Sequence, residues 1–413
     1  MRMIEESEKL KSTAEDKASR LADRLVSYTL GGTALTYLLT RNTMKALAVL
    51  MVDFSCALKL SMPIAVLSAM RESQNYHISV KGGRFMEAVA NADTVVFDKT
   101  GTLTYATPTV AKVVAFDGYS ASEMLRLAAC LEEHYPHSMA YAVVAKAKRL
   151  GLDHKEYHFQ VEYVVAHGIS SSVEDRKVII GSAHFVFEDE GCVIPEGEEE
   201  KFNALPEEYS HLYLCIAGRL AAVICIADPL RKEAKAAIEA LHACGISKAV
   251  MITGDNRKTA QAVAREVGVD QFYAEVLPED RANFIRREKA AGRKVIMIGD
   301  GVNDTPALSE ADVGVAINTG TAIAREIADV TIASEDLFEL VTLRKISQAL
   351  MGRIHRNYRF IVAFNLMLIV LGVAGVIQPT TSALLHNAST LGISLDSMTD
   401  LLDKEKECKE PEA

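Results

Sequence analysis

Residues 95–104 are VVFDKTGTLT. An apolar, strand-forming run ends at the carboxylate of Asp98, and Lys99 and a glycine turn follow directly. Ligands of parallel α/β sheets bind at the carboxyl ends of the strands. The stretch therefore predicts a strand that presents Asp98 and Lys99 to a ligand.

The region from about 85 to 340 repeats this pattern. The runs KAVMITGD, KVIMIGD and VGVAI are short and apolar, and the helical segments before and between them end in glycine, as helix C-termini often do. Such alternation predicts an α/β fold with a doubly wound parallel sheet, covered by helices on both faces. Polar residues follow the predicted strands at Asp98, Thr253–Asp255 and Asp300–Asp304.

Composition narrows the class of protein. A chain of 413 residues is long enough for two or three domains, and its net charge of −10 argues against a nucleic-acid partner. Seven cysteines without a CxxC spacing predict neither a disulfide framework nor a zinc ribbon. The charged, periodic N-terminal stretch predicts an amphipathic helix and does not resemble a signal peptide.

Four apolar runs predict two membrane hairpins, with buried core helices as the alternative. Basic residues cluster on the side of the central region, so we expect a multi-pass protein of the cell membrane with its catalytic domains and both termini in the cytoplasm. The runs are Leu25–Leu39, Ala46–Met70, Ile361–Ile377 and Ser382–Leu395.

The polar residues at the strand ends suit phosphoryl transfer. Asp98 would attack the terminal phosphate of ATP and form an aspartyl phosphate, while Asp300 and Asp304 would hold Mg²⁺. Thr253 would bind phosphate oxygens, and a basic residue would neutralise the developing charge. Taken singly, TGD is more often a turn and GDG is more often a loop. The heptamer DKTGTLT, followed in order by TGDN and GDGVNDTPAL, is highly specific.

With these motifs the chain resembles the P-type ATPases, whose catalytic core belongs to the haloacid dehalogenase superfamily. The resemblance implies that Asp98 is phosphorylated and that the Thr100 carbonyl is a Mg²⁺ ligand beside Asp300 and Asp304. Arg281 stands where the family has a lysine and keeps its charge. The implied catalytic residues are Asp98, Lys99, Thr100, Thr253, Gly254, Asp255, Arg281 and Asn303.

The resemblance also implies a nucleotide-binding insertion at 108–226, followed by the hinge motif DPLR at 228–231. Its implied nucleotide-binding residues are His137, His167, Gly168 and Gly181. The remaining divisions are an amphipathic helix (1–22), a membrane hairpin (23–70), a phosphorylation domain (71–107 and 227–343), a second hairpin (344–402) and a disordered tail (403–413).

The second apolar run is similar to the metal-site helix of the heavy-metal subfamily. Its DFSCALKLSMP matches CPCALxLxTP, with Cys56 on the second cysteine. The implied ligands of the transported ion are Cys56, Asp53 and His386. A single sulfur suits a divalent ion such as zinc, cadmium or manganese. Other roles for these residues stay open. Cys56 could serve only in packing, His386 could lie at the membrane interface, and Asp53 could form an ion pair with Lys59.

The family's TGE motif, which belongs to its actuator domain, occurs nowhere in the 413 residues. We therefore expect a pump fragment or half of a split pump, with a separate actuator-containing polypeptide as partner. Three functions stay open: the core of a metal pump, a phosphorylatable fragment that does not transport alone, and a membrane-anchored phosphatase of the same superfamily.

Overall fold

The computed structural model describes residues 12–105, 107–133, 138–152, 158–164, 168–173, 176–206, 209–299, 304–317, 326–334 and 336–402. The chain divides into two units. The first contains Met1–Val95, Glu239–Ser247 and Ala282–Ala413, and the second contains Val96–Ile238 and Lys248–Arg281.

The strands of the described residues form two sheets. In chain order they are β1 (Ile78–Val80), β2 (Thr94–Asp98), β3 (Thr109–Ala115), β4 (His158–Val164), β5 (Gly168–Val173), β6 (Arg176–Gly181), β7 (Ser210–Ile216), β8 (Arg219–Ala227), β9 (Lys248–Ile252), β10 (Gln271–Tyr273), β11 (Val295–Gly299), β12 (Val313–Ile317) and β13 (Val330–Ile332).

The helices of the described residues are α1 (Thr13–Thr40), α2 (Thr43–Leu50), α3 (Phe54–Asn75), α4 (Gly83–Asn91), α5 (Ala121–Glu132), α6 (Ser138–Arg149), α7 (Glu199–Asn203), α8 (Ala234–Ala243), α9 (Arg257–Val267), α10 (Pro278–Ala290), α11 (Thr305–Glu310), α12 (Phe338–Ala374) and α13 (Pro379–Ser397).

The seven-stranded sheet confirms the predicted α/β fold. Its strand order is β1-β13-β12-β11-β2-β9-β10, and β11, β12 and β13 pair in parallel, as do β9 and β10. The predicted strands in VVFDKTGTLT, KAVMITGD, KVIMIGD and VGVAI are β2, β9, β11 and β12. Strands β2, β11 and β12 are buried at every position. Continuous burial explains their unbroken apolar sequences, because helices cover both faces of a parallel sheet.

The six-stranded sheet is antiparallel, with strand order β3-β8-β7-β6-β5-β4. Side chains alternate between the two faces along each strand. Ile224 of β8 packs in a cluster with α5 and α6, whereas its neighbours Val223 and Cys225 pack in an aromatic cluster with Phe185 and Tyr213. The strand is therefore buried on both sides.

Two segments of the described residues are long and apolar enough to cross a membrane, Thr43–Asn75 and α12. The predicted run Ala46–Met70 is interrupted at Met51–Asp53, between α2 and α3. Asp53 causes the new start, because its carboxylate accepts the amides of Ser55 at 2.8 Å and Cys56 at 3.3 Å. The spans predicted at Leu25–Leu39 and Ser382–Leu395 stay predictions.

Helix α12 is anchored near its start. The buried Arg344 donates to the carbonyls of Val89, in the last turn of α4, and Cys244, just after α8. Gln348 Nε2 lies 2.8 Å from the same Cys244 oxygen. The last carbonyls of a helix have no partner within the helix. Two side chains of α12 therefore satisfy the ends of two other helices.

Candidate active site

Asp98 is the last residue of β2 and is 5% exposed. Its Oδ1 lies 2.9 Å from Nη1 of Arg281, in the first turn of α10. Both side chains are at least nine-tenths buried. The guanidinium neutralises a carboxylate that an apolar strand has brought out of water, where an unpaired charge would be costly.

Lys99 follows Asp98 and points to two other carboxylates. Its Nζ lies 2.5 Å from Oδ2 of Asp255 and 3.7 Å from Oδ2 of Asp228, and its side chain is 6% exposed. Arg281 and Lys99 therefore pair with different carboxylates. Arg281 faces the predicted nucleophile, while Lys99 is held by its two acidic neighbours.

The chain turns sharply at Lys99–Leu103 because Gly101 adopts a φ of +75°. The hydroxyl of Thr104 closes this turn: it accepts the Gly101 amide at 3.1 Å and donates to the Lys99 carbonyl at 3.3 Å. Left-handed φ values favour glycine. The glycine and the third threonine of DKTGTLT therefore shape the loop. Thr100 is exposed at its centre.

The DPLR motif also holds the Lys99–Leu103 loop through hydrogen bonds. Arg231 is 3% exposed, and its amide donates to the Leu103 carbonyl at 2.9 Å while its Nη2 donates to the Gly101 carbonyl at 3.3 Å. Burial raises the pKa of Asp228, an effect that a hydrogen bond from Thr104 and the charge of Lys99 oppose. Thr104, Asp228 and Arg231 were not among the predicted site residues, although they belong to the motifs DKTGTLT and DPLR.

The predicted phosphate-binding loop follows β9. Thr253 is 2% exposed; its amide donates to the Tyr273 carbonyl at 2.9 Å and its hydroxyl accepts the Asp255 amide at 3.1 Å. Gly254 lies between them, with the Val276 carbonyl 4.0 Å from where a Cβ would be. The structure thus brings Asp98, Lys99, Asp255 and Arg281 into ion pairs within the second unit.

In the first unit, Asp304 immediately precedes α11 and is 1% exposed. A Cβ on Gly299, the last residue of β11, would lie 2.6 Å from Oδ2 of Asp304. Glycine is therefore required before the predicted acidic loop, because any side chain would displace this carboxylate. Asp300 and Asn303 lie outside the described residues.

Two of the predicted nucleotide-binding residues are described, and they face each other. Gly168 of β5 pairs with Gly181 of β6. A Cβ on Gly168 would meet the Ile180 carbonyl and Cδ1 of Phe185, each at 2.5 Å. The backbone can approach its neighbours this closely only without a side chain. His137 and His167 lie outside the described residues.

Of the three predicted ligands of the transported ion, Asp53 interacts with both of the others. The thiol of Cys56 is hydrogen-bonded to the carboxylate of Asp53, which also interacts with the charge of His386. Nδ1 of His386 lies 3.1 Å from Oδ1 of Asn365. Lys59 pairs with Asp23 at 2.5 Å. Among the residues described, no group of three or more His, Cys, Asp or Glu side chains is arranged to hold a metal ion.

Comparison with known proteins places this geometry in a family. Residues 92–312 match the haloacid dehalogenase-like hydrolases. The chain is 39% identical to the copper-transporting ATPase 2 of Rhizobium meliloti (strain 1021) over 340 residues, 82% of this chain and 41% of that protein. It is 31% identical to the zinc-exporting P-type ATPase of Mycobacterium marinum over 396 residues, 95% of this chain and 54% of that protein.

A solved structure agrees with these relatives. The crystal structure of a zinc-transporting PIB-type ATPase in the E2.Pi state superposes with a TM-score of 0.75 at 28% identity, over 93% of this chain and 63% of that chain. The chain spans about half the length of the curated relatives it matches. It belongs to the haloacid dehalogenase-like hydrolases, and within them it is a relative of the heavy-metal P-type ATPases.

Proposed function

We propose that the chain is the ATP-phosphorylated part of a pump that moves a divalent transition-metal cation across a membrane. The observation that carries this proposal is the buried pair of Asp98 and Arg281, in the first loop of a haloacid dehalogenase-like domain. A structural ion pair alone would not need the sequence DKTGTLT around it. A carboxylate that must meet an anionic phosphate needs a cation to offset the repulsion.

In the proposed reaction, a carboxylate oxygen of Asp98 attacks the γ-phosphorus of ATP. The bond to the oxygen bridging the β- and γ-phosphates breaks, and ADP leaves with the electron pair. Arg281 stabilises negative charge at the reacting centre. Lys99, held by Asp228 and Asp255, supplies a fixed positive charge beside the nucleophile. Thr253 and Gly254 bind phosphate oxygens.

The residues present fit Mg²⁺ as the metal cofactor. We assign the carboxylates of Asp98, Asp300 and Asp304 and the carbonyl of Thr100 as its holders. These are all oxygen donors, which Mg²⁺ prefers, and Asp304 is buried directly before α11. When bound, Mg²⁺ neutralises phosphate charge. Asn303 lies beside this set in the sequence.

We assign ATP binding to the insertion at 108–226, with His137, His167, Gly168 and Gly181 as the contact residues. Gly168 and Gly181 lie opposite each other on adjacent strands, which supports assigning both to one site. The phosphorylation domain would then comprise 71–107 and 227–343.

The names of the relatives include copper, zinc and manganese, which supports a transition-metal cation as the cargo. We propose zinc, cadmium or manganese, with Cys56, Asp53 and His386 as ligands, since one sulfur with oxygen and nitrogen suits a borderline or hard divalent ion. The alternative is a fragment that binds ATP and phosphorylates itself without transporting alone. The membrane hairpins would place the catalytic residues in the cytoplasm.

The first experiment is phosphorylation of the purified chain by radiolabelled ATP and Mg²⁺. We expect acid-stable, hydroxylamine-labile phosphate, which Asp98→Asn abolishes because an amide is not a nucleophile here. The matched control is Asp117→Asn, on an exposed loop where the carboxylate pairs with Arg219. Equal labelling of both variants contradicts the proposed nucleophile.

The second experiment is ion binding by the chain in micelles. Cys56→Ala combined with His386→Ala should lower the affinity for Zn²⁺, while Cys244→Ala, away from the pair, should not. Unchanged Zn²⁺ binding in the double variant contradicts the assignment of these ligands. The measurement is repeated with Cd²⁺ and Mn²⁺ to identify the cargo.

A third measurement tests the proposed partner. Water attack on an aspartyl phosphate is slow without a positioned base, which typically contributes a factor of roughly 10²–10⁴. We propose that a polypeptide bearing the actuator loop supplies that function. Adding it should accelerate ATP turnover by the 413-residue chain. Turnover that is already fast and does not respond contradicts this partner.

A further inference from the structure

A groove runs between α12 and α13, in the first unit of the chain. It encloses a cavity of about 540 Å³, a size typical of ligand-binding cavities. Arg356 and Asp396 line one part of the groove, and Phe360, Gly392 and Ile393 line another. The proposed phosphorylation and the proposed ion site use none of these residues.

The two helices run antiparallel along the groove. Asn357 Nδ2 donates to Ser397 Oγ at 3.0 Å. Later in α12, Asn365 contacts His386, which comes earlier in α13. The groove therefore belongs to a pair of helices that hydrogen bonds hold together at two levels.

Both helices change from charged to apolar at the level of the groove. Residues 360–374 of α12 and 379–395 of α13 contain no Asp, Glu, Lys or Arg. Arg356 lies one turn before the first stretch, and Asp396 directly follows the second. Helix α12 is long and apolar enough to cross a membrane. The groove therefore lies where the headgroups of a bilayer would meet its hydrocarbon core.

Opposite charges meet in one part of the groove. Nη2 of Arg356 lies 3.0 Å from Oδ2 of Asp396, and the two side chains are 64% and 51% exposed. An ion pair this open to water contributes little to stability. A phosphate beside the guanidinium and an ammonium beside the carboxylate would give each side chain a further charged partner, and such contacts are stronger away from bulk water. The pair therefore matches a zwitterionic headgroup, which carries one charge of each sign.

The apolar part of the groove suits an acyl chain. The ring of Phe360 is 50% exposed and stacks on the ring of Phe364, with 5.5 Å between the ring centroids. The aromatic surface thus continues along α12, where Leu366 and Val370 are also more than half exposed. On α13, nothing lies within 4 Å of the Cβ position of Gly392. The absence of a side chain at this glycine leaves the groove open.

We propose that this groove binds a phospholipid with a zwitterionic phosphoethanolamine headgroup. Arg356 binds the phosphate, and Asp396 accepts hydrogen bonds from the ammonium. A choline headgroup carries methyl groups in place of these N–H donors and cannot make the second contact. One acyl chain lies along Phe360 and over Gly392, so the lipid bridges the two helices. This inference rests on the part of the proposed function that places the chain in a membrane.

Lipid binding by the full chain in micelles tests the site. The chain is titrated with dioleoyl phosphatidylethanolamine or with dioleoyl phosphatidylcholine, and native mass spectrometry counts the bound lipids. We expect one phosphatidylethanolamine to bind roughly fivefold or more tightly than phosphatidylcholine, because only its ammonium can donate to Asp396. Equal affinities for the two lipids overturn the proposal.

Substitutions separate the parts of the site. Asp396→Asn should lower the affinity for phosphatidylethanolamine to that for phosphatidylcholine, whereas Arg356→Gln should weaken the binding of both lipids. Gly392→Leu should fill the groove and abolish binding, while the matched control Gly352→Leu, at an equally open glycine of α12, should not. Thermal unfolding shows whether each variant folds, and the two surface variants decide the matter if Gly392→Leu does not. Unchanged lipid affinities in folded Gly392→Leu, or in both surface variants, overturn the proposal.

The same preparation distinguishes the other outcomes. A dimer in lipid-free micelles that Gly392→Leu converts into a monomer would show that a second copy of the chain fills the groove, and it would overturn the lipid site. Phosphorylation of Asp98 is measured in parallel. A chain that is phosphorylated but shows no lipid preference contradicts the lipid site alone, while a lipid preference without phosphorylation contradicts the proposed pump alone.

Discussion

The guanidinium of Arg281 lies against the carboxylate of Asp98, with Nη1 2.9 Å from Oδ1 and little of either side chain exposed. Arginine presents a planar fork of donors, whereas lysine presents a compact ammonium. This geometry can fix the orientation of the carboxylate as well as offset its charge. The position therefore has two separable roles, which substitutions can distinguish.

We expect Arg281→Gln to slow phosphorylation of Asp98 by a factor of roughly 10²–10³, the usual loss for one stabilising donor of a transition state. Arg281→Lys should retain most of the charge effect and lose the fixed orientation. Its phosphorylation rate should therefore lie between that of the unmodified chain and that of Arg281→Gln. Single-turnover labelling with ATP measures this order. The control is Arg286→Gln, whose partner Glu310 is on the surface. A rate for Arg281→Gln equal to that of the unmodified chain would show that the pair is structural only.

Lys99→Met should destabilise the chain by about 3 kcal/mol, because it leaves Asp228 and Asp255 without their buried cation. Thermal unfolding in micelles measures the loss, with Lys112→Met on the exposed side of β3 as the control. Adding Asp228→Asn to Lys99→Met should restore part of the stability, although Asp228→Asn alone should be destabilising. Simple additivity of the two substitutions would mean that the ion pair is not coupled.

Gly168→Ala should destabilise the insertion by about 1–3 kcal/mol, since the new methyl group would meet the Ile180 carbonyl and Phe185 at 2.5 Å. Gly352→Ala is the matched control, because nothing lies within 4 Å of its Cβ position in α12 and alanine favours helices. Unfolding midpoints should separate the two variants. A tolerated alanine at Gly168 would contradict the close backbone approach.

Stability should depend on pH through Asp329, whose pKa is raised by burial. The folded state holds this proton longer than the unfolded state, so the contribution of Asp329 to stability falls as pH rises from about 4 until the carboxyl is ionised in both states. Asp329→Asn cannot ionise and can still accept the Gly314 amide, which lies 3.0 Å from Oδ2. The variant should therefore gain stability relative to the unmodified chain with rising pH. Unfolding midpoints between pH 4 and 7.5 measure this gap, and a gap that narrows with pH contradicts the prediction.

The sequence predicts the local chemistry of the site but not its ion pairs. The apolar run and the glycine turn placed Asp98 at a strand end, because burial and a left-handed φ leave direct marks in composition. The pairing of Lys99 with Asp228 joins positions 129 residues apart in the chain, and no spacing rule reports such contacts. Arg281 was found through its motif, since its distance in sequence from Asp98 says nothing about their contact.

The break between α2 and α3 shows a second limit. Apolar composition predicted one span over Ala46–Met70, because hydropathy averages over a window and does not register a single cap. Asp53 ends that continuity by accepting two amides of the next helix. An aspartate whose carboxylate accepts the amides two and three residues later is an N-cap, which marks the start of a helix. Neither the predicted role as a metal ligand nor the alternative ion pair with Lys59 indicates this helix cap.

Helix α12 is long and continuous. Its 37 residues include no proline, and at 1.5 Å per residue it extends for roughly 55 Å. Near the start of the helix, Arg344 and Gln348 donate hydrogen bonds to the Cys244 carbonyl. Asn365 lies about 30 Å further along the helix and contacts His386 of α13. Because no proline interrupts α12, a rotation of the helix about its axis at Arg344 would also turn Asn365, the residue that contacts His386.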